Sequence, residues 1–160
     1  MLALRFAGLL AVAVWFGGLL ALGTIAAPVA FEVLGRSEGG PALAGAVVGE
    51  LLRRFHLVSY ACGGVLIASL IARAVLGPRP RRFGVRTGIA AVMLAAAVYS
   101  GMVVTGRIER LRREIGAAPS SLSEMDARRI AFGRLHRQST ALQMVPLLGG
   151  LVLLIAELND

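Results

Sequence analysis

The sequence predicts an all-α integral membrane protein, built as a four-helix up-and-down bundle. Apolar residues make up 57% of the chain, and the mean hydropathy of +0.76 is too high for a water-soluble globule. The 17 basic residues are all arginines, and they flank four long apolar runs. We therefore expect residues 1–160 to form a single transmembrane domain whose solvent is lipid.

The first apolar run lies between Arg5 and Glu32 and contains 26 residues without a formal charge. A helix rising ~1.5 Å per residue crosses the hydrocarbon in about 20 residues, so this run is long enough to span. A cleaved secretory signal is the alternative, since Ala26, Ala27 and Ala30 are small residues. The apolar part of such a signal is only about 7–15 residues long, so the sequence favours a retained span.

Three further runs follow along the chain. They contain 18, 20 and 19 residues, and each lies between two charged residues: Arg54 and Arg73, Arg86 and Arg107, and Arg137 and Glu157. We predict spans at about residues 6–31, 55–76, 85–106 and 136–156. An even number of spans places both termini on the same side of the membrane.

The connections between the runs differ in length. Residues 77–82 contain two prolines and three arginines, which predicts a tight basic turn because proline cannot continue a helix. The last connection is longer, and the helical spacing of Glu109 and Arg113 predicts that the third helix continues into water before a break at residues 116–119. Ser121 and Glu124 form a capping-box pattern, which predicts that the fourth helix begins there.

The distribution of charge leaves the orientation open. The side with the first and third connections carries 11 arginines and the side with the termini carries 6, but acids share the third connection whereas the Pro-Arg turn has none. Arginines that flank spans, without a folded polar face carrying aromatics, argue against a nucleic-acid partner. The single cysteine, Cys62, lies inside an apolar run and predicts neither a disulfide nor a CxxC metal site.

A polar rim is predicted where the second and fourth spans begin, because both start from the same side. His56 and His136 enter the membrane there at similar depth. Helical spacing places Ser139 and Gln143 on the face of His136, and Tyr60 on the face of His56. The candidate binding residues are His56 and His136 for a cofactor, and Glu32, Tyr60, Ser139 and Gln143 for a ligand or polar pathway.

Three interpretations of this rim are open. Hydrogen bonds from such side chains hold membrane helices together, at typically about 0.6 kcal/mol each, so the first is structural. Polar groups inside a bilayer are expensive unless paired, so the second is a ligand site or polar pathway. The third is a haem or metal site ligated by the two histidines, which are an incomplete ligand set on their own. Neither an HExxH motif nor paired carboxylates occur in a span, and no catalytic residue is predicted.

Glycines occur in all four runs, as at Gly63 and Gly64. Small residues let helices approach closely in a membrane, where lipid removes the hydrophobic drive for helices to associate. Trp15 lies deeper than an interfacial aromatic residue would, so we expect it to pack against these glycines.

Three segments together resemble the transmembrane protein 205-like family: residues 15–18 (Trp-Phe-Gly-Gly), 27–31 (Ala-Pro-Val-Ala-Phe) and 132–139 (Phe-Gly-Arg-Leu-His-Arg-Gln-Ser). The resemblance implies a four-helix membrane protein of largely undefined biochemistry, distantly similar to the copper-resistance D proteins. In that family an asparagine often follows the Phe-x-x-x-His-x-x-Ser pattern, where this chain has Gln143. The bacterial membrane protoporphyrinogen oxidases are also distantly similar, but their pattern pairs a histidine with a lysine. This chain contains no lysine, so their activity is not implied.

The function expected from these observations is non-enzymatic handling of a small solute or ion, or assistance to another membrane component. One alternative is a haem- or metal-binding redox protein that uses His56 and His136, and another is a structural subunit of a membrane complex. No cofactor is expected for solute handling or for a structural subunit, whereas the redox alternative would require a haem or a metal ion. The expected partners are the lipid bilayer and either further copies of the chain or another membrane protein, and the expected location is the bacterial inner membrane.

Overall fold

The computed structural model describes residues 1–77 and 81–158 of the chain, and within these ranges it contains helices and no strand. The long helices are α1 (Leu2–Leu34), α2 (Gly40–Leu76), α3 (Phe83–Ile115) and α4 (Ala127–Leu158). All four are long and apolar enough to cross a membrane. The predicted all-helical membrane fold is confirmed.

The helices form a closed up-and-down ring. Each packs against its neighbour along the chain, and α4 returns to pack against α1. Arg5 near the start of α1 pairs with Glu157 near the end of α4, so these two helix ends lie together. The turn predicted between α2 and α3 includes residues 78–80, which lie outside the described ranges.

In the core of the ring, large side chains of one helix pack against glycines of the next. Trp15 is 1% exposed and packs against Gly63 of α2, where an added Cβ would lie 3.2 Å from the indole ring. Met93 of α3 packs against Gly149 of α4 in the same manner, with 2.7 Å between its Cγ and an added Cβ. In the apolar window of each helix, only 17–39% of the residues are buried inside the bundle, so most of these apolar residues lie on its outer surface. Lipid rather than protein therefore covers most of these side chains.

Gly63→Leu should lower the stability of the bundle, whereas the neighbouring Gly64→Leu should leave it almost unchanged. A side chain at residue 63 would meet Leu94 at 2.8 Å and the buried Trp15 ring, while nothing lies within 4 Å of an added Cβ at residue 64. Overpacking of this kind costs roughly 1–3 kcal/mol. Unfolding in mixed micelles of increasing SDS fraction would measure both variants, and equal losses would contradict the packing described here.

Two of the helices contain a π-helical turn. In α1 it covers Leu22–Ala26, and in α3 it covers Ser100–Val104. The turn in α3 is closed by the backbone N–H of Thr105, which donates to the Ser100 carbonyl, and the Thr105 hydroxyl donates to the same oxygen at 3.0 Å. Such turns occur frequently at functional sites.

In the connection between α3 and α4, the structure confirms the predicted extension of α3 but not the predicted start of α4. As predicted, α3 continues beyond its apolar run to Ile115, and it ends at Gly116 with a left-handed φ of +69°. The predicted start of α4 at Ser121 is wrong. The helix begins at Ala127, and the capping residue is Asp126, whose Oδ1 accepts the backbone N–H of Arg128 at 2.8 Å.

The side chains explain this shift of the helix start. The Ser121 hydroxyl donates to the Ala118 carbonyl within a short 3₁₀ turn, Pro119–Ser121, so it does not cap a helix. Hydrogen bonds from the Arg128 side chain and backbone hold the pKa of the Asp126 carboxyl at about 2, so it is charged at neutral pH. A charged carboxylate is the better acceptor at the positive end of a helix dipole.

At the end of the bundle where α1 starts and α4 ends, one carboxylate joins all four helices. Glu157 of α4 forms ion pairs with Arg5 of α1 at 3.0 Å, Arg73 of α2 at 2.8 Å and Arg86 of α3 at 2.7 Å. Arg86 also donates to the Ala156 carbonyl at 2.6 Å. We call these four residues the Glu157 cluster. Arg86 is 5% exposed and Glu157 is 9% exposed, so the centre of the cluster is largely removed from solvent, while Arg5 lies at its open edge.

Candidate functional site

A large cavity bordered by the described residues lies at the other end of the bundle from the Glu157 cluster. Its volume is about 440 Å³, within the ~300–1,000 Å³ typical of small-molecule sites. All four helices line it, and residues 117–120 of the last connection border it where they follow α3. We call this space the rim cavity, because it opens where the sequence predicted a polar rim.

One wall of the rim cavity is the polar face of α4. His136, Ser139, Thr140 and Gln143 all line it, as helical spacing predicts for one face. Ser139 is 4% exposed, and its Oγ accepts a long hydrogen bond of 3.4 Å from Nε2 of Gln143. The Thr140 hydroxyl donates to the His136 carbonyl at 3.1 Å. These hydrogen bonds all lie within α4, so they do not join it to another helix.

The facing walls are mainly apolar. From α1 they include Leu22, Ala27 and Phe31, and from α2 Val48 and Leu52. Leu22 belongs to the π turn of α1, and Thr105 at the end of the α3 π turn lines the same space. An apolar chamber with a few polar groups on one side is the usual character of a small-molecule site.

Arg112 of α3 lines the rim cavity although it was not among the residues predicted from the sequence. It is half-buried, and its guanidinium lies against Gly45 and Gly49 of α2, 3.2 and 3.1 Å from the positions where their Cβ atoms would be. Burial lowers the pKa of Arg112, and the charge of Glu109 on the preceding turn opposes this. Its position between other arginines made it look like part of a solvated helix end, and only the spacing of Gly45 and Gly49 on α2 signalled room for a large side chain.

His56 lies next to the rim cavity but does not line it. It is 5% exposed and borders a separate void of about 10 Å³, together with Ser100 and Gln143. Its Nδ1–H donates to the Leu52 carbonyl at 2.8 Å, which assigns the proton of the neutral ring to Nδ1. Leu52 and Gln143 border both spaces.

Tyr60 and Glu32 also lie outside the rim cavity. The Tyr60 ring lies beside His56, with 6.2 Å between ring centroids. The side chain of Glu32 is 69% exposed and pairs with Arg36 at 3.2 Å. Glu32 follows Phe31, which does line the cavity, and one residue turns a helix by about 100°, so Glu32 points away.

Of the residues predicted to form the rim, the structure therefore brings His136, Ser139 and Gln143 to one cavity. His136 stacks on Phe132, with a centroid distance of 6.3 Å and an interplanar angle of 5°. The two histidines line separate spaces. Across residues 1–77 and 81–158, no group of three or more His, Cys, Asp or Glu side chains is placed to hold a metal ion.

The comparisons with known proteins identify a family. No match was found among the curated proteins or the solved structures. No finding supports the resemblance to the transmembrane protein 205-like or copper-resistance D proteins. A family model described as a domain of unknown function, DUF4149, matches residues 10–117, which is more than half of the chain and includes most of α1 together with α2 and α3. The chain, with four helices able to cross a membrane, therefore belongs to the DUF4149 family.

Proposed function

We propose that this protein is a non-enzymatic membrane protein that binds a small solute in the rim cavity. The observation that carries the proposal is a chamber of about 440 Å³ with one polar wall, formed by His136, Ser139, Thr140 and Gln143. Space of this size between helices, with polar groups directed at it, is typical of ligand sites in helical bundles.

The hydrogen bonding of this wall supports a ligand more than a purely structural role. Side chains that hold helices together bond across the helix interface. Ser139, Thr140 and Gln143 instead bond within α4, and the Gln143 bond of 3.4 Å is long. Donors and acceptors on these residues therefore remain for a solute or for water.

The helical architecture also supports a location. Proteins of the bacterial outer membrane cross it as β-strands of closed barrels. Within a bacterial cell, four helical spans therefore favour the inner membrane.

Val48→Trp should block the rim cavity, whereas Val47→Trp should not. Val48 lines the cavity, and its neighbour Val47 is 38% exposed on the outside of α2. The protein would be reconstituted in lipid nanodiscs and exposed to two photoreactive amphiphiles, decanoic acid and decanol, each carrying a diazirine. We expect at least one of them to attach to cavity-lining peptides of the wild type and of Val47→Trp, as mapped by mass spectrometry.

The same labelling should be lost in Val48→Trp, because an indole would occupy the space that the probe needs. The melting temperatures of both variants serve as the control for folding. Labelling confined to lipid-facing peptides, or labelling of the lining that Val48→Trp leaves intact, would show that the rim cavity does not bind solutes of this kind.

A further inference from the structure

The side chain of Arg112 crosses from α3 to α2 at the rim cavity. Both terminal nitrogens lie beside α2: Nη2 is 3.2 Å from the Cβ position of Gly45, and Nη1 is 3.1 Å from that of Gly49. The two glycines are four residues apart and so share one helical face. The same side chain also lines the cavity, so its guanidinium lies at the boundary between α2 and that space.

This guanidinium forms no hydrogen bond and no ion pair with any residue that the structure describes. Other arginines of α3 and α4 also lack ion pairs among those residues, but they are exposed and water or lipid headgroups can solvate them: Arg107, Arg110, Arg113, Arg134 and Arg137. Arg112 is half-buried, and a cation removed from water without a bonded partner is unfavourable. Its position therefore favours an anionic ligand in the cavity.

The charges around Arg112 indicate which anion fits. Among the described residues, the cavity lining contains one arginine, Arg112, and one carboxylate, Glu109. The charge of Glu109 also acts on Arg53 of α2, whose pKa it helps to raise, after the larger effect of Glu50. A ligand with one negative charge would match the free guanidinium, while a doubly charged phosphate would add repulsion from Glu109.

We propose that the rim cavity binds an amphipathic carboxylate, with its head group on Arg112 and its apolar chain along α1 and α2; this assignment rests on the proposed function. Arginine binds a carboxylate through two parallel N–H···O bonds, which suits a single anionic group. Thr105 lies seven residues deeper on α3 than Arg112, about 10 Å at the helical rise, so the chain extends inward past Leu22 and Leu52.

The test compares the two diazirine probes in the full-length protein, since decanoic acid and decanol differ only in their head groups. In the wild type, the acid should label the cavity lining at a lower concentration than the alcohol does. Arg112→Gln should weaken labelling by the acid about tenfold or more and leave labelling by the alcohol unchanged. Arg113→Gln is the matched control, because Arg113 is exposed on the same turn and does not line the cavity.

Arg112→Lys adds a second variant that keeps the charge but loses the planar fork, and its affinity for the acid should fall between those of wild type and Arg112→Gln. Equal labelling by acid and alcohol, or a preference for the acid that survives in Arg112→Gln, would overturn the carboxylate assignment while leaving the proposed function standing. Stronger competition by decyl phosphate than by decanoate would also overturn it. Failure of both probes to label the lining would overturn the proposed function as well.

Discussion

Glu157→Gln should cause a larger loss of stability than either Gly101→Val or Gly63→Leu. The carboxylate of Glu157 lies between Arg5, Arg73 and Arg86, one from each of the other helices, at 2.7–3.0 Å. A neutral amide would leave three guanidinium groups close together in a largely buried space, without the charge that holds them. Removing one member of a buried ion pair typically destabilises a protein by about 3–5 kcal/mol.

Glu50→Gln is the matched control, because Glu50 also binds two arginines, Arg53 and Arg54, each at 2.7 Å. These arginines set the pKa of Glu50 at about 2, yet the site is open to solvent, where ion pairs contribute little to stability. SDS-induced unfolding of the reconstituted variants would separate the two. If Glu157→Gln unfolds together with the wild type, the Glu157 cluster does not hold the helix ends as described.

Gly101→Val should cause the second largest loss. An added Cβ at this residue would overlap the Tyr60 hydroxyl and lie 2.9 Å from the His56 ring. His56 is 5% exposed and bonded to Leu52, so its ring has little room to withdraw. Either α3 must move away from α2 or its π turn must rearrange, and we expect about 3 kcal/mol at the upper end of the usual overpacking range.

Gly106→Val on the same helix controls for the loss of glycine and for β-branching, because nothing lies within 4 Å of its Cβ position. Thermal unfolding in detergent would compare the two variants. Similar melting temperatures for both would mean that α2 and α3 do not approach each other closely at Gly101.

The fold could be predicted from the sequence because a membrane imposes simple rules. A span needs about 20 apolar residues, and arginines mark its ends. The polar wall of α4 was predictable for a similar reason, since His136, Ser139 and Gln143 recur with the period of one helix. The spacing of residues along one helix can be recognised in the sequence without knowing which helices pack against it.

The remaining parts of the site depend on contacts between helices, which periodicity does not reveal. Glu157 stands at the end of an apolar run and Arg112 lies five residues after Arg107, which ends another, in positions where most charged residues are solvated. Only the packing of α2 against Arg112, and of three arginines around Glu157, shows that these two side chains are enclosed. Glu32 was expected at the rim because of its position along α1, but its angular position directs it outward. The start of α4 was misplaced because two capping patterns overlap, and the carboxylate of Asp126 proved the stronger.

The π turn at Ser100–Val104 determines the angular phase of the last eleven residues of α3, Thr105–Ile115. One residue advances a helix by about 100°, so the same segment wound as a regular α-helix would rotate by that angle about its axis. Arg112 would then leave the two glycines of α2, and Thr105 would turn away from the cavity. The extra residue in that turn thus sets the rotation of the following segment, so that Arg112 and Thr105 face the rim cavity.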